Sequence, residues 1–587
     1  MFSFSKDPNT VTVEFTINGT VSKLSPHVLE VHVYKQINKI ARARIKIHDG
    51  DVANQKFELI ETYTPKIGDT IEIKIGGDPT SVKSTFKGVV SGLSAELNTI
   101  YNHIIIDCVD KAFGMTKGRN TSIYLKKKDD AIIKALVGNY SGVTVTTDSC
   151  TVEHEKLVQY GVSDWDFLLM RAEANGFLVS NADNTITAKK PVLTASATGT
   201  FSSGTDILSV SIETNGESAI DSMSVQHWDY DTGTVKVGKS DSTDKPSFPS
   251  IVTSTDITGL AKPKEPISVY TAGIHKENDL KGIVNGKVVR SMIATVKGHV
   301  TVNGNVTVEL TDIIELKGLG KFSGKFFCSG IEHNLIDGAF TTTFIFGIDE
   351  KSIWERDHSV NNETLGGTMS PIYGLHLGSV VKLDGDPNTQ LRIQIKLPVF
   401  GSDALVWARL SFPDAGKNRG IFFVPEKDDE VVVSFLDGDP SQPVILGTLY
   451  NKKSTAPHTW DAKNNIRKIV SKNKVEIEFD DEKKNLTLKT PGGNSILMDD
   501  AKGITIKDKN GNSIELGSAG ITIKSAKDAS LKAAKNVTVS GDAGAVTVSG
   551  LDVTADAKKA LKVAGKATAE ISASGIVTVK GAMVKIN

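Results

Sequence analysis

From Asp480 onward, short runs alternate apolar and polar residues at period two. They read Leu-Thr-Leu-Lys at 486–489, Ile-Thr-Ile-Lys at 504–507 and 521–524, Val-Thr-Val-Ser at 537–540 and 546–549, and Val-Thr-Val-Lys at 577–580. Such alternation turns one row of side chains inward and the next toward water, as in a half-buried strand. The stretch 480–587 contains no Phe, Trp, Tyr or Cys and a single proline, Pro491. Aromatic side chains bury the largest areas in a core. Without them the Ile, Val and Leu stripes are too thin for one chain to close around. The pattern predicts an elongated β-structure whose core is shared between copies of the chain, with Ile504, Ile506, Ile521, Ile523, Val537 and Val539 facing inward.

The pattern also repeats. Asn494–Lys507 aligns with Asn512–Lys524, offset by 18 residues at the start and 17 at the end, and Val475–Lys489 has the same strand, polar corner, strand layout. Repeats of this size belong to solenoids or fibrous stacks. A multi-chain β-prism accounts for the missing aromatics better than a single-chain solenoid, which carries bulkier inward stacks.

Residues 1 to about 360 are β-rich with two helices. In Ser163-Asp-Trp-Asp-Phe-Leu-Leu-Met-Arg-Ala-Glu-Ala-Asn-Gly176, Ser163 stands as N-cap with Asp166 three residues on. Gly176 supplies the left-handed terminating residue, and Trp165, Leu168, Leu169 and Ala172 form an apolar face. The second helix is 129–138, with Ile132, Ile133 and Leu136 inward. An internal duplication accompanies them. Gly68-Asp-Thr-Ile-Glu-Ile-Lys74 resembles Thr311-Asp-Ile-Ile-Glu-Leu-Lys317, Val89-Val-Ser-Gly-Leu93 resembles Phe327-Cys-Ser-Gly-Ile331, and Val109-Asp110 matches Ile348-Asp349. One β-barrel unit used twice, near 10–110 and 260–350, is the expectation.

Residues 371–450 supply five or six short strands separated by Asp-Gly-Asp-Pro and Asn-Arg-Gly turns, which suits a small closed barrel of OB type. One expected strand is Gly420-Ile-Phe-Phe-Val-Pro. Its Phe422 and Phe423 fall within an apolar run and read as core rather than as a stacking platform for bases or sugars.

Composition narrows the partners. With 68 basic and 69 acidic residues the formal charge is −1, so no global field attracts nucleic acid or an anionic membrane. Cys108, Cys150 and Cys328 lie far apart without metal spacing, as buried thiols of a protein made in a reducing compartment. The amino terminus lacks the charged and apolar regions of a secretory signal.

Val424-Pro-Glu-Lys-Asp-Asp-Glu-Val-Val-Val-Ser-Phe-Leu-Asp-Gly-Asp-Pro-Ser-Gln-Pro-Val-Ile-Leu-Gly-Thr-Leu-Tyr-Asn451 resembles the OB module of the VgrG spike family of contractile injection systems. Tyr160–Val179 is similar to that family's hub helix. The resemblance covers essentially the whole chain and implies a mainly β fold. A hub of two tube-like β-barrel units with a small α/β insertion (1–120, 121–220 and 221–360) precedes an OB-fold barrel (371–452). A linker (453–474) then leads to a C-terminal triple-stranded intertwined β-helix, the needle (475–587), in a homotrimer. It implies a structural spike that punctures target envelopes, with a hexameric inner-tube protein, baseplate proteins, a PAAR-type tip protein and effectors as partners, and transient contact with the target membrane. The tip protein would sit on Ala582, Met583, Val584, Lys585, Ile586 and Asn587. Synthesis would be cytoplasmic, followed by expulsion with the injection particle.

Enzymatic chemistry has no foothold. Gly318–Lys325 misses the phosphate-loop spacing and has Phe326 where a Mg²⁺-binding hydroxyl belongs. The histidines show no metal-ligand spacing, and no cofactor or metal is expected. Asp480-Asp481 and Asp499-Asp500 read as solvated corners, since glycosidase carboxylates face each other across a sugar-binding groove. The stretch Lys452–Lys474 is too short for an inserted enzyme. The alternative is a phage tailspike or fibre that binds or cleaves a surface polysaccharide, which shares the β-needle but needs an aromatic-lined groove.

Overall fold

The computed structural model describes residues 11–51, 54–62, 64–76, 82–98, 102–217, 219–220, 222–229, 234–240, 246–252, 267–271, 277–349, 351 and 370–586. It divides into two compact units, Met1–Thr455 and Ala456–Asn587.

In the first unit, strands from both ends of the hub share one sheet. Ile207–Thr214, Val296–Asn303, Ala339–Phe346 and Gly324–Ile336 continue directly into Val28–Gln36, Arg42–His48, Asn102–Val109, Lys83–Leu97, Thr70–Gly76 and Thr12–Ile17. The seam is the antiparallel pair Val28–Gln36 with Gly324–Ile336, where His32 Nδ1 meets Asn334 Oδ1 at 2.7 Å. Each half has its own core: Phe15, Ile45, Ile73 and Phe86 in one, Phe201, Val300, Phe344 and Phe346 in the other.

The two halves repeat each other atom for atom at the duplicated motif. Gly68 N–H donates to Val90 O (2.9 Å) and Val90 N–H to Asp69 O (2.9 Å); Thr311 N–H donates to Cys328 O (2.9 Å) and Cys328 N–H to Asp312 O (2.8 Å). Ser91 and Ser329 are both bulged out of their ladders, and their hydroxyls donate to Asp107 O (3.1 Å) and Ile345 O (3.2 Å). A bulge re-aims a strand, and here it does so at the same place twice. The ladder corrects one sequence match. Asp107 lies opposite Gly92 and Ile345 opposite Gly330, so Asp110 corresponds to Ile348 and not to Asp349.

Between the halves lies the α/β insertion. Ser163 Oγ accepts from Asp166 N–H at 3.1 Å and donates to Asp166 Oδ2 at 2.6 Å, capping helix Asp164–Ala174. Trp165, Phe167, Leu168, Leu169, Met170 and Ala172 are all buried, so this helix is enclosed on every side and not only along the expected face. Its Arg171 holds Asp129, the first residue of helix Asp129–Gly138, through Nε (2.7 Å) and Nη2 (2.9 Å). A third helix, Glu277–Ile293, crosses its C-terminal end at glycines: a Cβ on Gly286 would stand 2.7 Å from Gly176 Cα.

The OB module is a closed five-stranded barrel in the order His376–Lys382, Ile393–Lys396, Leu405–Leu410, Pro443–Leu449, Glu430–Phe435. Its core of Val380, Ile395, Val406, Val431, Val433 and Ile445 also packs on Val158 of the hub. The expected strand at Gly420–Pro425 is absent: only Arg419–Gly420 pairs, in a small hairpin with Ala415–Gly416. Phe422 and Phe423 are accordingly 77% and 61% exposed, Phe422 stacking only on Phe412 at 5.7 Å. They are surface residues of this chain, contrary to the core expectation.

The second unit is an antiparallel meander of seven five-residue strands: Ile466–Val470, Glu476–Asp480, Asn485–Lys489, Ser495–Asp499, Gly503–Lys507, Ser513–Gly517 and Gly520–Lys524. Each pairs with its sequence neighbour, so this stretch satisfies its ladder within the chain, and its first strand lies in the stretch expected as linker. The described residues 525–586 carry no strand. The expected needle therefore has two parts, a self-paired meander and a ribbon without intrachain pairing.

Candidate functional site

The meander brings its apolar residues onto one face in two parallel rows. Across consecutive strands Ile469, Ile477, Leu488, Ile496, Ile506, Ile514 and Ile523 stand opposite one another. Two residues away along each strand run Phe479, Leu486, Met498, Ile504, Leu516 and Ile521. The other face carries Lys468, Glu478, Thr487, Leu497, Thr505, Glu515 and Thr522 between the rows. Among the described residues nothing covers the apolar face. Phe479 is 42% exposed, Met498 44%, Ile504 36% and Ile506 39%, rising to 70% at Ile521 and 73% at Ile523. A continuous apolar surface of this kind marks an interaction site.

Four of the six inward candidates, Ile504, Ile506, Ile521 and Ile523, thus lie on one face and in both rows. Val537 and Val539 lie in the ribbon, exposed and outside any strand. Sequence reasoning left out Ile477, Ile496 and Ile514, although they obey the same alternation. Along the first row the face is hollowed into a groove of about 740 Å³, floored by Ile477, Ile496, Ile506, Ile514 and Ile523 and walled by Lys489, Lys507 and Lys524.

The turns between strands are fixed locally. Asp499 Oδ1 accepts from Ala501 N–H (3.0 Å) and Lys502 N–H (2.9 Å); Asp480 accepts from Lys483 N–H (3.0 Å) and pairs with Lys483 Nζ (2.9 Å). The backbone and side-chain bonds from Lys483 hold the Asp480 carboxyl below its ordinary range. These carboxylates tie corners and face no partner carboxylate across a groove. The three thiols are buried and free, and burial pushes Cys108 up to about 12. Among the described residues no group of three or more His, Cys, Asp or Glu side chains is placed to hold a metal, and no helix is long and apolar enough to cross a membrane.

Among the residues expected to seat a tip protein, Met583, Val584 and Ile586 are 76%, 50% and 92% exposed; Ala582 and Lys585 are exposed as well, and Asn587 lies outside the described residues.

Comparison with known proteins meets this geometry at each module. Residues 7–337, more than half of the chain, match the Alg8 N-terminal domain. Residues 376–450 match the type VI secretion system/phage-baseplate injector OB domain, and 485–554 match the phage baseplate V C-terminal trimerisation domain. The type VI secretion system spike protein VgrG1a of Pseudomonas aeruginosa is 46% identical over 56 residues, 10% of this chain and 9% of that protein. The chain belongs to the VgrG spike family, with an Alg8-type N-terminal domain. VgrG3 of Vibrio cholerae, another type VI spike protein, is 44% identical over 52 residues, 9% of this chain and 5% of its own length. The matched stretch thus spans less than a tenth of either VgrG relative. In fold the likeness is broader. A chain of the lidded Francisella PdpA-VgrG complex superposes with a TM-score of 0.51 at 13% identity, over 85% of this chain and 80% of that one. The lidless complex gives 0.50 at 11%, over 85% and 98%. This chain therefore shares its fold with a chain of that complex over most of its length.

Proposed function

We propose that the chain is one subunit of a homotrimeric central spike that punctures a target envelope when a contractile injection system fires. The uncovered two-row apolar face within the trimerisation segment carries this reading. Three such faces turned toward a common axis bury one another, and the ribbon 525–586, unpaired within its own chain, gains strand partners from its neighbours. A narrow, closed prism leaves few free edges and resists buckling. The work is mechanical and needs no catalytic group. The chain would be made in the bacterial cytoplasm and carried out by the machine it tips. Light scattering of the purified protein, with an SDS gel run unboiled, tests the oligomer: a species of 62.9 kDa overturns the proposal.

The duplicated sheet halves serve a different partner. A three-fold hub meets a six-fold tube ring without mismatch if each chain presents two similar units, and the matched bulges at Ser91 and Ser329 give the halves equivalent shapes. Crosslinks from the tube protein to only one half would sink this part. The exposed apolar tip 582–586 would seat a PAAR-type cap, with effectors travelling on it. Deleting the last seven residues is expected to abolish capture of the cap while the trimer persists; a cap retained by the truncated spike refutes the assignment.

A further inference from the structure

The near-zero formal charge of the chain averages away a local excess in the ribbon. From 525 to 557, Lys527, Lys532 and Lys535 meet Asp528, Asp542, Asp552 and Asp556, a balanced stretch. From 558 to 587, Lys558, Lys559, Lys562, Lys566, Lys580 and Lys585 face a single acid, Glu570. Setting Asp552 and Asp556 against them as well still leaves three lysines uncompensated. Among the described residues all six lysines are exposed and none is drawn into an ion pair. They alternate with apolar residues: Leu561 and Val563 flank Lys562, and Val577 and Val579 precede Lys580.

Resting on the trimeric-spike reading above, we propose that 558–580 forms a basic collar that binds the anionic lipid headgroups of a target membrane. When the apolar residues turn toward the shared axis, strand alternation sets Lys562 and Lys580 on the outside, and three copies triple the excess. Lysines beside a membrane gain from the negative surface potential of anionic lipid, roughly fivefold in affinity apiece. Composition separates this partner from the others that a basic surface attracts. After Arg467 the sequence has no arginine, and after Phe479 no aromatic residue. The collar therefore has neither the bidentate phosphate fork nor the stacking platform that serve nucleic acid. It also lacks the Trp, Tyr and Arg anchors on which protein interfaces concentrate their energy. Point charges on flexible stems, without a pocket, suit a fluid layer of charged headgroups. The collar stops before Ala582, where the residues proposed to seat the cap begin, so the two functions occupy separate residues.

Flotation of the full-length protein with vesicles tests this. One set is phosphatidylcholine alone; the other is three parts phosphatidylcholine to one part phosphatidylglycerol. The wild-type trimer is expected to float with the second set and not the first, and to be released as salt rises, since ions screen exposed charges. Changing Lys558, Lys559, Lys562 and Lys566 to Gln is expected to weaken the binding roughly tenfold or more. The same change at the exposed Lys417, Lys427, Lys452 and Lys453, in and beside the OB barrel, removes equal charge and is expected to leave binding unchanged. Equal binding to both vesicle sets, binding indifferent to salt, or equal loss in the two variants overturns the proposal, and the first two outcomes require no variant to assemble. Tighter binding to double-stranded DNA or to polyglutamate than to the anionic vesicles assigns the collar to another class of partner and overturns it too. A wild-type chain that is monomeric in light scattering overturns the trimer reading instead, whereas a trimer that ignores the anionic vesicles overturns this inference alone.

Discussion

His333 sits in the seam strand Gly324–Ile336, buried on Phe340 with its Nδ1 3.1 Å from Thr342 Oγ1. Burial, helped by the nearby Lys35 cation, depresses its pKa to about 3. The folded ring is neutral while an unfolded one gains a proton below about 6.5. Stability is thus undiminished above that pH and falls as the pH drops toward 3. Urea titrations of wild type and His333→Leu between pH 7 and 4 are expected to diverge, wild type weakening more. A second residue-level test comes from the duplication. Gly68 has φ +95°, and its counterpart Thr311 adopts φ +78°, a region costly for a β-branched side chain. Thr311→Gly is expected to raise stability by about 1 kcal/mol in thermal unfolding, whereas Gly68→Thr lowers it. The motif match between these positions was legible in the sequence, but the shared left-handed backbone was not, because Thr in no way announces it.

At the level of elements, the helix Asp164–Ala174 was readable from its cap and termination, and the meander strands from their alternation. What escaped was set by contacts remote in sequence. The helix is enclosed all round because the insertion packs on every side of it. Glu277–Ile293 depends on backbone approach: a Cβ on Gly282 would lie 2.8 Å from Ala174 O, and one on Gly286 2.7 Å from Gly176 Cα. Backbone atoms cannot swing aside, so Gly286→Ala is expected to cost about 1–3 kcal/mol, measured as a lowered denaturation midpoint with the slope unchanged. Phe422 and Phe423 failed as core predictions because a closed five-stranded barrel has no room for a sixth strand. An apolar run alone does not distinguish a core strand from a surface hairpin.

For the whole molecule, the division of the C-terminal region into a self-paired meander and an unpaired ribbon assigns the two parts different duties. In the proposed trimer the meander, already paired within its own chain, would register the subunits, and the ribbon would order against its neighbours. Removing 525–587 is expected to leave a trimer by light scattering, while Ile496→Asp with Ile506→Asp in the full-length chain is expected to give monomers. A ribbon without internal partners has a further consequence in the cell. On the proposed trimer, every newly translated chain would carry some sixty residues of β-prone sequence with open hydrogen-bonding groups, open to proteases and to the wrong neighbour until two sister chains arrive. Synthesis in bursts from one message, which raises the local supply of sister chains, would shorten that interval. Slow or dilute expression would lengthen it and expose the ribbon to clipping.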